Sequence, residues 1–173
     1  TRLLNRLNCV AEKRVALISA PAGFGKTTLA TQWIQQQRTP CAWLTLDKNE
    51  GDLTRFFTYL IAAIRECDPS FASRAEQLLT APILPQPEDL TDALITDLEL
   101  SAVPLFLFLD DFHTLNSVAV DKTLIRLVHN LPRHIHLAVI CRSDPPWPIS
   151  SWVVRGWLTE IRAKDLQFSP EEA

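Results

Sequence analysis

Lys26 closes the run Ala20, Pro21, Ala22, Gly23, Phe24, Gly25, Lys26, and two threonines, Thr27 and Thr28, follow it. A lysine, spaced glycines and two hydroxyls in this order suit the holding of a chain of phosphates. Gly23 and Gly25 let the backbone bend so that successive N–H groups point inward at phosphate oxygens. A helix begun near Thr27 aims its positive dipole end at the same anion. Lys26 then reaches the outer phosphates, the Thr27 hydroxyl ligates magnesium, and Thr28 hydrogen-bonds the innermost phosphate. The run fits the P-loop pattern, with Ala20 in place of the usual first glycine.

A phosphate loop needs an acid to anchor its cation. Residues 105–109 are all apolar and lead into Asp110 and Asp111. Such a run fits a central parallel strand buried on both faces. An acid at its end sits at the C-terminal edge of the sheet, where ligands of open α/β sheets bind. Asp110 is thus expected to hold magnesium, through water. Asp111 has two readings: a general base that polarises the attacking water, or a residue that caps and orients its neighbours. Adjacent acids repel each other, and a cation relieves that cost.

Residues 135–141 form another strand-like run, which ends in Cys141 and Arg142. If this strand neighbours that of Asp110, Arg142 emerges beside the terminal phosphate and can sense or stabilise it. Its other reading is a salt bridge to Asp110 or Asp111. Asp47 ends a strand at the same edge, and His113 reads as a solvated or hydrogen-bonded loop histidine. Guanine-specific proteins carry an Asn-Lys-x-Asp tetrad; none occurs here, so ATP is the expected nucleotide. Leu3, Leu4 and Leu7 either wall the adenine or pack in the core.

The elements that must position these residues follow from hydrophobic periodicity. Strands are expected at 15–19, 41–46, 105–109, 135–141 and, as an edge, 158–162. Helices are expected at 27–37, 53–65, 71–79, 88–100 and 118–131. In 53–65, for instance, Phe56, Phe57, Leu60, Ile61 and Ile64 recur at helical spacing. Pro82, Pro85 and Pro87 break the chain, and Pro145, Pro146 and Pro148 mark a rigid loop. Strands alternating with helices imply an α/β fold: a P-loop NTPase, three layers around a mostly parallel five-stranded sheet.

Composition narrows the function classes. The chain has 173 residues, 47% of them hydrophobic, which suits one domain over 1–173. Its net charge of −3 and scattered Lys and Arg leave no basic stripe for a nucleic-acid backbone. Cys9, Cys41, Cys67 and Cys141 lack zinc-site spacing and read as small buried hydrophobes in a reducing cytoplasm. There is neither a membrane-length apolar run nor a signal peptide. The chain contains no Met, and Ser169, Pro170, Glu171 and Glu172 form a helix-opening capping box just before the end. Both features predict a fragment of a longer protein.

The runs 19–29, 42–47, 108–113 and 141–146, with Arg155-Gly156 and the 168–173 segment, resemble a bacterial family. They are similar to the ATP-binding domain of large LuxR-type transcriptional activators of the maltose-regulon type. That domain belongs to the signal-transduction ATPases with numerous domains. The resemblance covers nearly the whole chain, and Ala20 in place of glycine is normal for the family. It implies a cytoplasmic regulator in which ATP and an inducer drive self-association. A C-terminal helix-turn-helix, absent from this chain, would then bind DNA. It further implies that Asp111 is the hydrolytic base and Arg142 a sensor of the γ-phosphate.

The leading expectation is therefore a slow ATPase acting as a switch. The alternative is a stand-alone kinase acting on a small molecule, although neither an acceptor pocket nor an Arg-rich lid is visible. An ABC-type transport ATPase would carry a Leu-Ser-Gly-Gly-Gln signature, which is missing. A non-hydrolysing ATP-binding scaffold is opposed only by Asp111.

Overall fold

The computed structural model describes residues 7–8, 12–83 and 85–166. Five strands, β1 (Val15–Ser19), β2 (Cys41–Thr45), β3 (Leu105–Asp110), β4 (Ile135–Cys141) and β5 (Leu158–Arg162), form one sheet in the order β2-β3-β4-β1-β5. Every pairing is parallel. All C-terminal strand ends therefore lie along one edge. The helices are α1 (Lys26–Gln36), α2 (Leu53–Cys67), α3 (Arg74–Leu79), α4 (Pro87–Leu100), α5 (Val118–His129), α6 (Ile149–Val154) and α7 (Ala163–Leu166).

Side chains alternate across each strand and build a separate core on each face. Val15, Leu17, Leu105, Leu107, Leu109, Leu137 and Val139 face one way, into the larger cluster with α2, α4 and α5. Ala16, Ile18, Phe106, Phe108, Ala138 and Ile140 face the other way, with Leu29, Ala30 and Trp33 of α1. Trp33 meets the ring of Phe106 edge-on at 4.8 Å and that of Phe108 at 5.9 Å. These aromatic contacts fix α1, and with it the loop that precedes it, against β3. Leu7 is fully buried in the same cluster, and Asn8 accepts a hydrogen bond from the Trp33 indole. Leu7 thus packs in the core. Leu3 and Leu4 lie outside the described residues, as do Cys9 and the capping box at 169–172.

The α/β three-layer expectation holds, and the sheet is parallel throughout. Boundaries shift by local chemistry. α1 begins at Lys26, one residue early, because Gly25 adopts the left-handed conformation that ends the loop. The helix expected from residue 71 starts at Arg74: Ser73 caps it through Glu76 N–H, and the Asp97 carboxylate accepts from the N–H groups of Arg74 and Ala75. The loop expected at Pro145, Pro146 and Pro148 is present, and it leads into α6, which seats Trp152 in the core. Two helical turns, α6 and α7, went unpredicted; at 6 and 4 residues they are too short to show periodicity. Cys41 and Cys67 are half-buried free thiols, and Cys141 is buried. Burial, with the nearby Cys67, pushes the Cys41 thiol up to about 11, which suits an unreactive side chain.

Replacing Trp33 by Ala should destabilise the chain by about 3–5 kcal/mol, because it empties the contact between α1 and β3. Urea unfolding monitored by far-UV circular dichroism measures this; a loss below about 1 kcal/mol would show that α1 is held by other contacts.

Candidate nucleotide site

The loop between β1 and α1 has the backbone that its sequence requires. Gly23 and Gly25 both have positive φ, 82° and 71°. No heavy atom lies within 4 Å of where a Cβ would stand on either, so it is the φ angle that calls for glycine there. Ala20 has ordinary φ, is buried, and donates its N–H to the Cys141 carbonyl at 3.3 Å. Nothing at that position demands glycine. Gly25 is the N-cap of α1 and offers no side-chain cap, and the first turn has no acid. The leading N–H groups of an 11-residue helix are thereby left to an outside acceptor. Lys26 folds back, its Nζ donating to the Pro21 carbonyl at 2.9 Å. Pro21, Ala22, Thr27 and Thr28 are exposed, whereas Phe24 is half-buried.

The parity of β3 decides where its terminal acid points. Phe106 and Phe108 face α1, so Asp110, two residues on, faces α1 as well. Its carboxylate accepts a hydrogen bond from the Thr27 hydroxyl at 3.2 Å and another from the Asp111 N–H at 2.8 Å. Asp110 is 5% exposed. Burial raises its pKa above the ordinary carboxylate value, and the charge of Asp111 adds to the rise. The hydrogen bonds from Asp111 N–H and Thr27, together with Lys26, oppose it. Two residues separated by 83 positions in sequence thus meet as a hydroxyl and a carboxylate, the oxygen donor set that magnesium takes.

Asp111 adopts left-handed backbone with φ 55°, a conformation that Asp tolerates through its short polar side chain. A short 3-10 turn, Phe112–Thr114, follows. Phe112 is buried against Trp147, with ring centroids 5.1 Å apart, and Thr114 Oγ1 donates to the Leu46 carbonyl at 3.1 Å. These contacts hold the turn from both sides. His113, expected to be solvated or hydrogen-bonded, is neither at Nδ1: that nitrogen is buried without a partner and lies 3.9 Å from Asp111 Oδ1. An unmade hydrogen bond of this kind costs about 1–3 kcal/mol.

β4 lies between β3 and β1, which meets the condition set for Arg142. Arg142 is exposed just past the end of β4, and its charge acts on His113. It forms no salt bridge with Asp110 or Asp111, nor with any other of the described residues. Asp47 is exposed past the end of β2, and its carboxylate accepts from the Asn49 N–H at 2.6 Å, a local turn. No group of three or more His, Cys, Asp or Glu residues suited to a metal occurs among the described residues.

One constellation escaped the reading of the sequence. Asp144 Oδ1 accepts from Ser19 Oγ at 2.8 Å and from the Arg162 guanidinium, which also pairs with Glu160. The guanidinium holds the Asp144 carboxyl below its ordinary value despite partial burial. Ser19 stands in register with both Cys141 and Arg162. The cluster therefore ties the ends of β4 and β5 across β1, directly beneath the loop. A polar residue ending the apolar run 15–18 was the available signal; its partners became visible only with the strand order.

No family model matches the chain. The curated HTH-type transcriptional regulator MalT of Cronobacter sakazakii is 33% identical over 172 residues, 99% of this chain and 19% of that protein. MalT of Yersinia enterocolitica gives the same identity and coverage. The chain is a homologue of one segment of MalT-type regulators. It spans about a fifth of the length of these relatives. Among solved structures, Cdc6p of Pyrobaculum aerophilum superposes with a TM-score of 0.58 at 18% identity, covering 92% of this chain and 44% of the other. A chain of Drosophila ORC bound to DNA gives 0.55 at 14% identity, covering 94% and 87%. At such identities the likeness speaks for the P-loop fold alone. No helix of the described residues is long and apolar enough to cross a membrane.

The raised Asp110 pKa has a measurable consequence. A carboxyl whose folded pKa lies above its unfolded value binds protons more readily when folded, so its ionised form costs stability above the folded pKa. That cost is relieved as the pH falls through the folded pKa towards the unfolded one. Asp110→Asn should therefore raise the melting temperature of the nucleotide-free chain at pH 7, and the gain should shrink as the pH is lowered. A variant less stable than wild type at pH 7 would contradict the assignment.

Proposed function

We propose that this chain binds ATP with magnesium and hydrolyses it slowly, as the switch domain of a LuxR-type transcriptional regulator. The observation that carries this reading is the hydrogen bond from Thr27 to Asp110, which joins a phosphate-type loop to a buried acid. Residues 20–28 would cradle the phosphates through backbone N–H groups, with Lys26 leaving the Pro21 carbonyl for a phosphate oxygen. Thr27 and Asp110 would hold magnesium, which when bound neutralises charge that builds on the phosphates. Asp111 would accept the proton of the attacking water, and Arg142, exposed and without a salt bridge to any other described residue, would meet the terminal phosphate.

The similarity to MalT supports placing this activity in a regulator. On this reading residues 1–173 form one domain of a longer cytoplasmic protein. Nucleotide state would be reported to other segments that take the inducer, self-associate and bind DNA through a helix-turn-helix. Loops 20–28, 111–114 and 142–146 would surround the bound phosphates and are the elements whose order would follow the γ-phosphate.

Calorimetric titration with ATP and magnesium should show saturable binding, lost in Lys26→Ala. Asp111→Asn, which keeps the left-handed backbone, should retain affinity and lose turnover by roughly 100-fold or more. Lost affinity with intact turnover would refute the role given to Asp111. Fast transfer of phosphate to a small metabolite would favour a kinase instead.

A further inference from the structure

The cluster of Ser19, Asp144 and Arg162 has no part in the chemistry proposed above, yet it brackets Arg142. β4 leaves the sheet at Cys141, and the chain that follows is pinned twice to the root of the phosphate loop. The Ala20 N–H donates to the Cys141 carbonyl at 3.3 Å, and the Ser19 hydroxyl donates to Asp144 Oδ1 at 2.8 Å. Arg142 and Ser143, both exposed, span the gap between those pins. A third anchor lies further on: the Trp147 indole N–H donates to Asp121 at 2.9 Å, and its ring packs on Phe112. Pro145 and Pro146 fix φ between Asp144 and that anchor.

The Asp144 carboxylate is held from both sides. Arg162 donates to the same Oδ1 that Ser19 uses, and its guanidinium also pairs with Glu160. The Arg162 main chain is fixed as well, by its register with Ser19 and by its N–H bond to the Asp165 carboxylate at 2.9 Å. The bond from Arg162 lowers the Asp144 pKa, against burial and with help from Ser19, so the acceptor is an ionised carboxylate at neutral pH. The Arg162 and Asp144 side chains are 30% and 42% exposed, so their pair adds little to stability; what it fixes is position.

We propose that Asp144 is a positioning residue for Arg142: clamped by Ser19 and Arg162, it fixes the bend at residues 142–143 and so holds the guanidinium where the terminal phosphate arrives. This assignment rests on the ATPase reading above. Asp144 acts through Arg142 alone, and no covalent bond is made or broken at it.

The test uses wild type, Asp144→Ala, Asp144→Asn, Arg142→Ala and the double variant Arg142→Ala with Asp144→Ala. Single-turnover ATP hydrolysis and equilibrium affinity for ADP with magnesium are measured on each. Asp144→Ala should lose roughly 10- to 100-fold in turnover. Its ADP affinity should change by less than about threefold, because ADP lacks the phosphate that Arg142 meets. Asp144→Asn, whose Oδ1 accepts the same two bonds, should recover most of the lost turnover. In the Arg142→Ala background, Asp144→Ala should cost nothing further. Unchanged turnover in Asp144→Ala would overturn the proposal. So would an equal fall in ADP affinity, a full further loss in the Arg142→Ala background, or an Asn variant no better than Ala. If Asp144→Ala does not fold, Ser19→Ala, which removes one side of the clamp, replaces it in each comparison with the same expected and overturning outcomes. An independent readout separates failure of this proposal from failure of the ATPase reading. Nitrogen NMR relaxation of the nucleotide-free chain should give backbone order parameters of about 0.85 at Arg142 and Ser143 in wild type, and below about 0.6 in Asp144→Ala. Values that stay at the wild-type level in Asp144→Ala sink the positioning role whatever the turnover. A wild type without turnover sinks the ATPase reading, and the order parameters still decide the positioning role.

Discussion

Side-chain alternation along β3 is the constraint on which the rest of the site depends. Leu105, Leu107 and Leu109 fill the larger core, so Phe106, Phe108 and Asp110 must face the layer of α1. The same strand that packs Trp33 through its aromatic rings thereby delivers its terminal carboxylate to Thr27, on the first turn of that helix. A one-residue slip of the strand would send Asp110 to the opposite face and put Leu109 against the hydroxyl. Packing and chemistry are set by one register. Parallel pairing then brings the ends of β1, β3 and β4 to one edge, so that the loop, Asp110 and Arg142 converge without long excursions of the chain.

That convergence has a cost, visible in the residues themselves. Asp110 is buried beside a second acid and resists ionisation. Asp111 is the one non-glycine residue with positive φ among those described. His113 buries a nitrogen without a partner. Three departures from ordinary folding chemistry within four consecutive residues are more than packing requires, and such features gather where function compensates for them. By contrast, two ion pairs away from this edge are well matched. Arg65 with Glu76 and Arg126 with Asp92 form two-pronged pairs that hold neighbouring helices together.

Much of this was legible in the residues alone, for stated physical reasons. The phosphate loop was legible because its glycines, lysine and threonines are each tied to a backbone or ligand requirement. The central strands were legible because burial on both faces erases polar residues from them. Strand order was not, because parallel neighbours far apart in sequence leave no local trace; it decided whether Arg142 or Asp47 stands near the loop. The Ser19, Asp144 and Arg162 cluster was hidden for the same reason. The burial of His113 Nδ1 was not legible, because a histidine in a short polar turn looks solvated, whereas the packing of Phe112 on Trp147 draws the turn inward.

The homology to a MalT segment and the P-loop fold agree with the chemistry built from these residues. The central claim is that Thr27 and Asp110 act together on one magnesium ion. Its most direct measurement is the affinity for ATP with and without magnesium in wild type, Thr27→Ala, Asp110→Asn and the double variant. The account predicts that magnesium tightens binding in wild type, that either single change removes most of this gain, and that the double change adds little more. Binding that is unaffected by magnesium, or losses that simply add, would contradict it.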